Sequence, residues 1–144
     1  MRIMRRESYG LSPESMELAV AVCTENLMEY MTIERAVMAY AKEKQGTAAV
    51  QWFRTREDYL QEHARRQFPI TFLAFEDIVN QELAVLARSI WQESQIVWVG
   101  EDQRFGVSSY RIGVANFLMK PVDGEAVWDS LDRCFMRLEE AGSL

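Results

Sequence analysis

The chain has 144 residues, a length typical of one domain that can bury a hydrophobic core. Its formal net charge of -6 at pH 7 argues against direct binding to DNA or RNA, because phosphate backbones need a basic surface. No apolar run approaches the roughly 18 residues of a membrane-spanning helix, and the basic start of the chain lacks the apolar stretch of a signal peptide. We therefore expect a cytoplasmic protein with neither a nucleic-acid nor a membrane partner.

Residues 1–15 are polar and contain three arginines, and we expect them to form a flexible lead-in to one domain at 16–144. Short apolar runs recur in this domain, as expected for parallel strands that are covered on both faces. The five predicted strands are 18–23, 48–53, 70–75, 96–99 and 115–119. Longer segments with helical periodicity separate them. This alternation predicts an α/β fold with a doubly wound, five-stranded parallel sheet and helices on both faces.

Residues suited to helix ends lie between the predicted strands and helices. Asn26 and Thr55 are predicted N-caps of the first and second helices. Gly46 and Gly113 follow helical stretches, where a left-handed residue can end a helix. The last helix is predicted over 123–140. Its buried stripe is predicted to comprise Val127, Leu131, Cys134 and Leu138.

The two cysteines and the single histidine do not suggest a reactive or metal-binding site. Cys23 and Cys134 have no metal-ligand partners nearby in the sequence, and we expect both to be buried as small hydrophobic residues. His63 lies in a charged helical stretch, which predicts a surface position. We therefore expect no metal site and no catalytic histidine.

In open α/β sheets, ligands bind beyond the carboxyl ends of the strands. The residues that the sequence places there are Thr24, Glu25, Ala74, Glu76, Asp77, Gly100, Lys120 and Pro121. The loop after the first strand contains one threonine and no glycine, so it lacks the glycine-rich phosphate loop of a nucleotide site.

These strand ends resemble the receiver domains of bacterial response regulators, which have a CheY-like, flavodoxin-like fold. The resemblance covers residues 17–138 and is greatest to receivers that precede LytTR-type DNA-binding domains. Such receivers typically read Ile-Cys-Asp-Asp, Phe-Leu-Asp, Val-Thr and Tyr-Leu-Leu-Lys-Pro at the first, third, fourth and fifth strands. The corresponding segments here are Val22-Cys23-Thr24-Glu25, Phe72-Leu73-Ala74, Val99-Gly100 and Phe117-Leu118-Met119-Lys120-Pro121.

The resemblance implies a phosphorylation pocket, and the sequence departs from it at several positions. Ala74 replaces the acceptor aspartate, and a methyl group cannot form an acyl phosphate. Thr24 replaces one Mg²⁺-binding acid whereas Glu25 retains the other, so we expect Mg²⁺ binding to be lost or weak. Gly100 lacks the hydroxyl that moves toward the phosphoryl group in the family. Only Lys120, the phosphate-binding cation, matches outright.

An unpaired, partly buried ammonium is costly, so we expect Lys120 to form a structural ion pair. Glu25 is the first choice of partner, with Glu76 and Glu101 as alternatives. Glu76 or Asp77 is a candidate for a displaced acceptor, but a shift of two residues moves a side chain by about 6–7 Å along a strand. A role as solvated loop acids or as an N-cap of the third helix is favoured.

The fourth helix, predicted over about 103–112, lies with the fifth strand and the last helix on the face that receivers commonly use for dimerisation. Aromatic residues are enriched in the cores of interfaces. The aromatic residues available to this face are Phe105, Tyr110, Phe117, Trp128 and Phe135. Packing inside the domain is the alternative for each of them.

The resemblance thus predicts a pseudo-receiver that is not an enzyme, is not phosphorylated and needs no cofactor. It would act as a protein-interaction or dimerisation module in signal transduction, with a sensor or output domain as partner and a link to transcription regulation. The chain ends shortly after its last predicted helix, so we expect no DNA-binding module within it. One alternative is a phosphorelay acceptor that uses Asp77 or Glu76 with Glu25. Another is a sensor of a small anionic ligand, bound by Lys120 near Ala74.

Overall fold

The protein is described by a computed structural model that covers residues 17–142. The predicted lead-in at 1–15 lies outside the described residues. The strands are β1 (Glu17–Cys23), β2 (Thr47–Phe53), β3 (Ile70–Leu73), β4 (Gln95–Gly100) and β5 (Asn116–Met119). The α-helices are α1 (Leu27–Glu43), α2 (Arg56–Arg66), α3 (Asp77–Ile90), α4 (Gly106–Ile112) and α5 (Gly124–Glu140). A 3-10 turn at Gln103–Phe105 precedes α4.

The strands form one parallel sheet in the order β2-β1-β3-β4-β5, with helices on both faces. Alternate residues of a strand point to opposite faces, which gives the sheet two hydrophobic cores. Val20 of β1 packs in the core that contains Ile33 of α1 and Leu131 of α5. Its neighbour Ala21 packs in the second core with Leu83 of α3. The predicted doubly wound α/β fold is confirmed.

The third strand ends two residues earlier than predicted, and the reason lies in its hydrogen bonds. Ala74 N–H still donates to the carbonyl of Cys23 at 2.7 Å, next to β1. Phe75 N–H donates instead to the side-chain oxygen of Asn80 at 2.9 Å. The buried Asn80 amide also donates to the carbonyls of Phe75 and Val99, at 3.1 and 3.3 Å. One asparagine therefore ends β3 and begins the turn into α3.

Three of the four predicted helix-end residues have the expected roles. Asn26 and Thr55 accept hydrogen bonds from the backbone N–H groups of the third helical residues, as N-caps do. Gly113 ends α4 with a φ of 87°, in the left-handed region. The prediction for Gly46 is wrong, because the left-handed residue after α1 is Gln45, at a φ of 62°.

The prediction that His63 lies on the surface is wrong. The imidazole is fully buried and stacks on the rings of Tyr59 and Phe68. Nδ1 accepts a hydrogen bond from Phe68 N–H at 3.0 Å, so Nε2 carries the proton and donates to the carbonyl of Ala87 at 3.1 Å. Burial lowers the pKa of His63. Tyr59 precedes His63 by four residues, and this helical spacing is the signal for a shared buried face.

Both thiols are buried as predicted, and the predicted stripe of α5 is buried. Burial raises the pKa of Cys134 to about 12 and that of Cys23 well above its usual value. Thiols with such pKa values are poor nucleophiles at neutral pH. Within residues 17–142, no helix combines the length and the apolar character needed to cross a membrane.

Candidate functional site

The predicted site residues meet at the carboxyl-terminal edge of the sheet. Thr24 N–H donates to the carbonyl of Phe53 at 3.1 Å, beside the end of β2. Lys120 N–H donates to the carbonyl of Gly100 at 2.8 Å, and its ammonium donates to the carbonyl of Ala74 at 2.8 Å. The Lys120–Pro121 peptide bond is cis. The ends of β1, β3, β4 and β5 thus come together as the sequence predicts.

Lys120 forms an ion pair at this edge with a residue of α1. Glu29 Oε1 lies 3.5 Å from Lys120 Nζ and accepts a hydrogen bond from the Thr24 hydroxyl at 2.6 Å. The Thr24 hydroxyl in turn accepts a hydrogen bond from Asn26 N–H at 3.1 Å. Only 10% of the Glu29 side chain and 23% of the Lys120 side chain are exposed. The positive charge is therefore neutralised by a carboxylate within the protein.

The partner predicted for Lys120 is wrong. Among the described residues, Glu29 alone places a carboxylate oxygen within 4.0 Å of Lys120 Nζ, whereas Glu25 is exposed and lines a separate cleft beside Arg54. The cause is the N-cap at Asn26. The chain turns there into α1, and the third helical residue, Glu29, lies in the first turn of the helix next to the strand ends.

Sequence reasoning could have found Glu29 from its spacing. An asparagine followed three residues later by glutamate, as at Asn26 and Glu29, is a capping-box pattern that places the acid in the first helical turn. Asn80, which ends β3, gives a weaker signal: it is an isolated polar residue on the otherwise apolar stripe of α3.

Two acids follow β3, and the structure separates their roles. Glu76 is exposed at the N-cap position of α3 and makes no capping hydrogen bond with its side chain. Asp77 accepts three hydrogen bonds, from the indole of Trp98 at 2.8 Å and from the backbone N–H groups of Glu101 and Asp102 at 3.1 and 3.0 Å. Asp77 thus binds β4 and the loop that follows it.

The residues at this edge do not fit an octahedral Mg²⁺ site. Ala74 has no side-chain oxygen, and the carboxylates of Glu29 and Asp77 accept hydrogen bonds from Thr24 and from N–H groups respectively. Mg²⁺ needs carboxylate and water oxygens that are free to coordinate it. Within residues 17–142, no three His, Cys, Asp or Glu side chains are grouped closely enough to hold a metal ion.

The space beside Lys120 is an open cleft of about 570 Å³. Glu29 and Glu101 also line it, and the lysine is already paired with Glu29. An incoming anion would therefore meet two carboxylates and no unpaired lysine, which disfavours anion binding at this cleft.

The five aromatic residues of the predicted interaction face divide into three groups. The ring centroids of Phe105 and Phe117 each lie 5.7 Å from that of Trp98. Trp128 and Phe135 of α5 pack with the ring of Tyr40 on α1, at 5.0 and 5.7 Å. Tyr110 of α4 is 85% exposed. Four of the five aromatic rings therefore pack within the domain, and Tyr110 remains available to a partner.

No protein-family model matches this sequence, and no curated protein matches it. Several solved structures are similar in fold. The BeF3-activated DrrB receiver domain has a TM-score of 0.68 and 17% identity, over 84% of this chain and 99% of that one. A response regulator from Thermotoga maritima has a TM-score of 0.69 and 12% identity, over 84% and 99%. A CheY-like response regulator receiver domain protein from Methanospirillum hungatei has a TM-score of 0.68 and 12% identity, over 85% and 98%. The chain therefore has the CheY-like receiver fold.

Proposed function

We propose that this chain is a receiver-fold module that is not phosphorylated and acts by binding another protein in a signalling pathway. The observation that supports this most is the position of Ala74. It directly follows β3, beside the ammonium of Lys120, where the resemblance places the acceptor aspartate. No side-chain oxygen is available there to attack a phosphorus atom.

The charges of the site support the same proposal. Lys120 donates to the carbonyl of Ala74 and is paired with Glu29, which also accepts a hydrogen bond from the Thr24 hydroxyl. A phosphoryl group at this position would have to displace the Glu29 carboxylate or lie close to it. Two like charges in a partly buried site repel each other strongly. The ion pair therefore gives the site a stable arrangement without a ligand.

The displaced acceptor is less favoured, because Asp77 is engaged in three hydrogen bonds to N–H donors. To act as a nucleophile, its carboxylate would have to leave these donors. Glu76 is exposed and its side chain makes no capping hydrogen bond, but it lines the cleft with Arg54 and Arg56 and not the one beside Lys120.

The test is labelling with radioactive acetyl phosphate in the presence of Mg²⁺, followed by hydroxylamine. We expect no stoichiometric label that hydroxylamine releases. A receiver with an intact acceptor aspartate serves as the positive control. Stoichiometric, hydroxylamine-labile label on the unmodified protein would overturn the proposal. Its loss in Asp77→Asn or Glu76→Gln would then identify the acceptor.

The contact surface that we propose consists of α4 and β5, together with the adjoining face of α5. Val107, Tyr110 and Met119 are 62%, 85% and 42% exposed on these elements. Exposed aromatic and aliphatic side chains on neighbouring elements are the usual anchors of protein interfaces. We propose that a second copy of this chain, or a signalling partner, binds there.

A further inference from the structure

Gly100 makes room for the carboxylate of Asp77. A Cβ atom at Gly100 would overlap Asp77 Oδ1 and would lie 3.0 Å from Trp98 Nε1. Gly100 lies within β4 and does not have a positive φ, so its backbone does not require glycine. What requires glycine is the close approach of an acidic side chain from the start of α3.

The three hydrogen bonds that Asp77 accepts are called the Asp77 clamp here. Oδ1 accepts from the indole of Trp98, and Oδ2 accepts from the consecutive backbone N–H groups of Glu101 and Asp102. Hydrogen bonds to a charged carboxylate are about twice as strong as neutral ones. One side chain of α3 therefore contacts both Trp98 near the end of β4 and the first two residues of the loop before α4.

Two of the donor residues, Trp98 and Asp102, contact the segment that begins α4. The Trp98 ring packs on Phe105, which directly precedes α4, and on Phe117 of β5. Asp102 caps the 3-10 turn before α4, because its Oδ1 accepts from Arg104 N–H at 2.9 Å. Movement of the loop would therefore disturb both the backbone and the aromatic contacts at the start of α4.

We infer that Asp77 is an internal ligand of the loop between β4 and α4, and that it holds α4 in one arrangement without phosphate or metal. The carboxylate supplies two acceptor oxygens to N–H groups that would otherwise need water or a bound anion. This inference rests on the proposed function, since a permanently held α4 suits a contact surface that is not switched by phosphorylation.

Amide hydrogen exchange measured by NMR tests the clamp. In Asp77→Ala we expect the amide protons of Glu101 and Asp102 to exchange about tenfold faster than in the unmodified protein. We expect those of Tyr110 and Ile112 in α4 to exchange about threefold faster. The indole proton of Trp98 should also change its chemical shift.

Glu76→Ala is the matched control, because Glu76 is the adjacent acid and its side chain makes no capping hydrogen bond. It should leave all these exchange rates unchanged. Asp77→Asn retains the size of the side chain and should give an intermediate result. Unchanged rates at Glu101 and Asp102 in folded Asp77→Ala would overturn the clamp. A change at the loop without one in α4 would overturn the claim that the clamp holds α4.

A double-mutant cycle tests whether Gly100 and Asp77 share one space. Gly100→Ala should displace the carboxylate, so in the otherwise unmodified protein it should raise the equilibrium constant of unfolding about tenfold. In the Asp77→Ala background, Gly100→Ala should raise the equilibrium constant of unfolding by only about threefold or less. Additive effects of the two substitutions would overturn the inference.

The outcomes separate this inference from the proposed function. A protein that takes up stoichiometric phosphate yet shows the expected exchange pattern overturns the proposed function and leaves the clamp. If the protein takes up no phosphate, but the amide protons of Glu101 and Asp102 exchange at unchanged rates in Asp77→Ala, the clamp is overturned and the proposed function remains.

Discussion

Glu29 Oε1 accepts a hydrogen bond from the Thr24 hydroxyl at 2.6 Å and lies 3.5 Å from Lys120 Nζ. A residue of α1 thereby joins the ends of β1 and β5. Both charged side chains are mostly buried, so their attraction is less screened by water than that of a surface pair.

Glu29→Gln should lower the free energy of unfolding by about 1–3 kcal/mol, because it leaves a partly buried ammonium without its counter-charge. Urea unfolding at pH 7 measures this change. Glu25→Gln is the control, since Glu25 is exposed and is not the partner of Lys120. It should change the free energy by less than about 0.5 kcal/mol. Equal effects of the two variants would contradict the assignment of Glu29 as the partner.

His63 should make the protein less stable in mild acid. Burial lowers the pKa of the folded imidazole, so the unfolded chain binds more protons as the pH falls below the unfolded value of about 6.5. The contribution of neutral His63 is fully present above that pH and is lost as the pH falls toward the lowered pKa. Protonation would also break the hydrogen bond that Nδ1 accepts from Phe68 N–H.

The measurement is the free energy of unfolding between pH 5 and pH 7. His63→Phe retains an aromatic ring beside Tyr59 but cannot titrate. We expect this variant to be less stable at pH 7, because Phe68 N–H loses its partner and the carbonyl of Ala87 keeps only the hydrogen bond from Trp91 N–H. We also expect its stability to depend less on pH. An identical pH dependence in the two proteins would contradict the prediction.

Tyr110→Lys should weaken association through the proposed contact surface. Tyr110 is 85% exposed, and loss of a tyrosine that acts as an interface hot spot costs about 2 kcal/mol, or roughly a thirtyfold change in Kd. We expect the unmodified protein to form dimers and Tyr110→Lys to be monomeric, as measured by light scattering after gel filtration. Met38→Lys, at an exposed apolar residue of α1, is the control and should remain dimeric. A monomeric unmodified protein would contradict homodimerisation.

Arg88 of α3 forms hydrogen bonds at the carboxyl-terminal ends of both α3 and α4. Its guanidinium donates to the carbonyls of Gln92, Ile112 and Gly113, and Arg137 of α5 also donates to Gly113. Burial lowers the pKa of Arg88, and the charge of Arg137 lowers it further. These bonds satisfy carbonyl groups at helix ends, which have no partner within their own helix.

Arg88→Ala should therefore lower the free energy of unfolding by about 1–3 kcal/mol, as measured by urea unfolding. Arg65→Ala is the control, because the Arg65 side chain is 69% exposed and pairs with Glu62 of the same helix. Its effect should stay below about 0.5 kcal/mol. A larger effect at Arg65 than at Arg88 would contradict this account of the helix ends.

The sequence by itself determined the order and type of the strands and helices, the N-caps at Asn26 and Thr55, and the burial of Cys23 and Cys134. These features depend on local patterns, since the period of apolar residues and the chemistry of a cap act over a few neighbouring residues. That residue 74 is an alanine, with no side-chain oxygen, is likewise visible in the sequence, because it concerns the chemistry of one side chain.

Only the tertiary structure decided which groups meet at the site. The pairing of Lys120 with Glu29, the burial of His63 and the approach of Asp77 to Gly100 each join segments that are far apart along the chain. Such contacts depend on the directions in which side chains leave different helices and strands, and on which polar groups remain without partners once the backbone has folded. Local patterns place Glu29 in the first turn of α1 and His63 on the same helix face as Tyr59, but they do not say which distant groups these side chains meet.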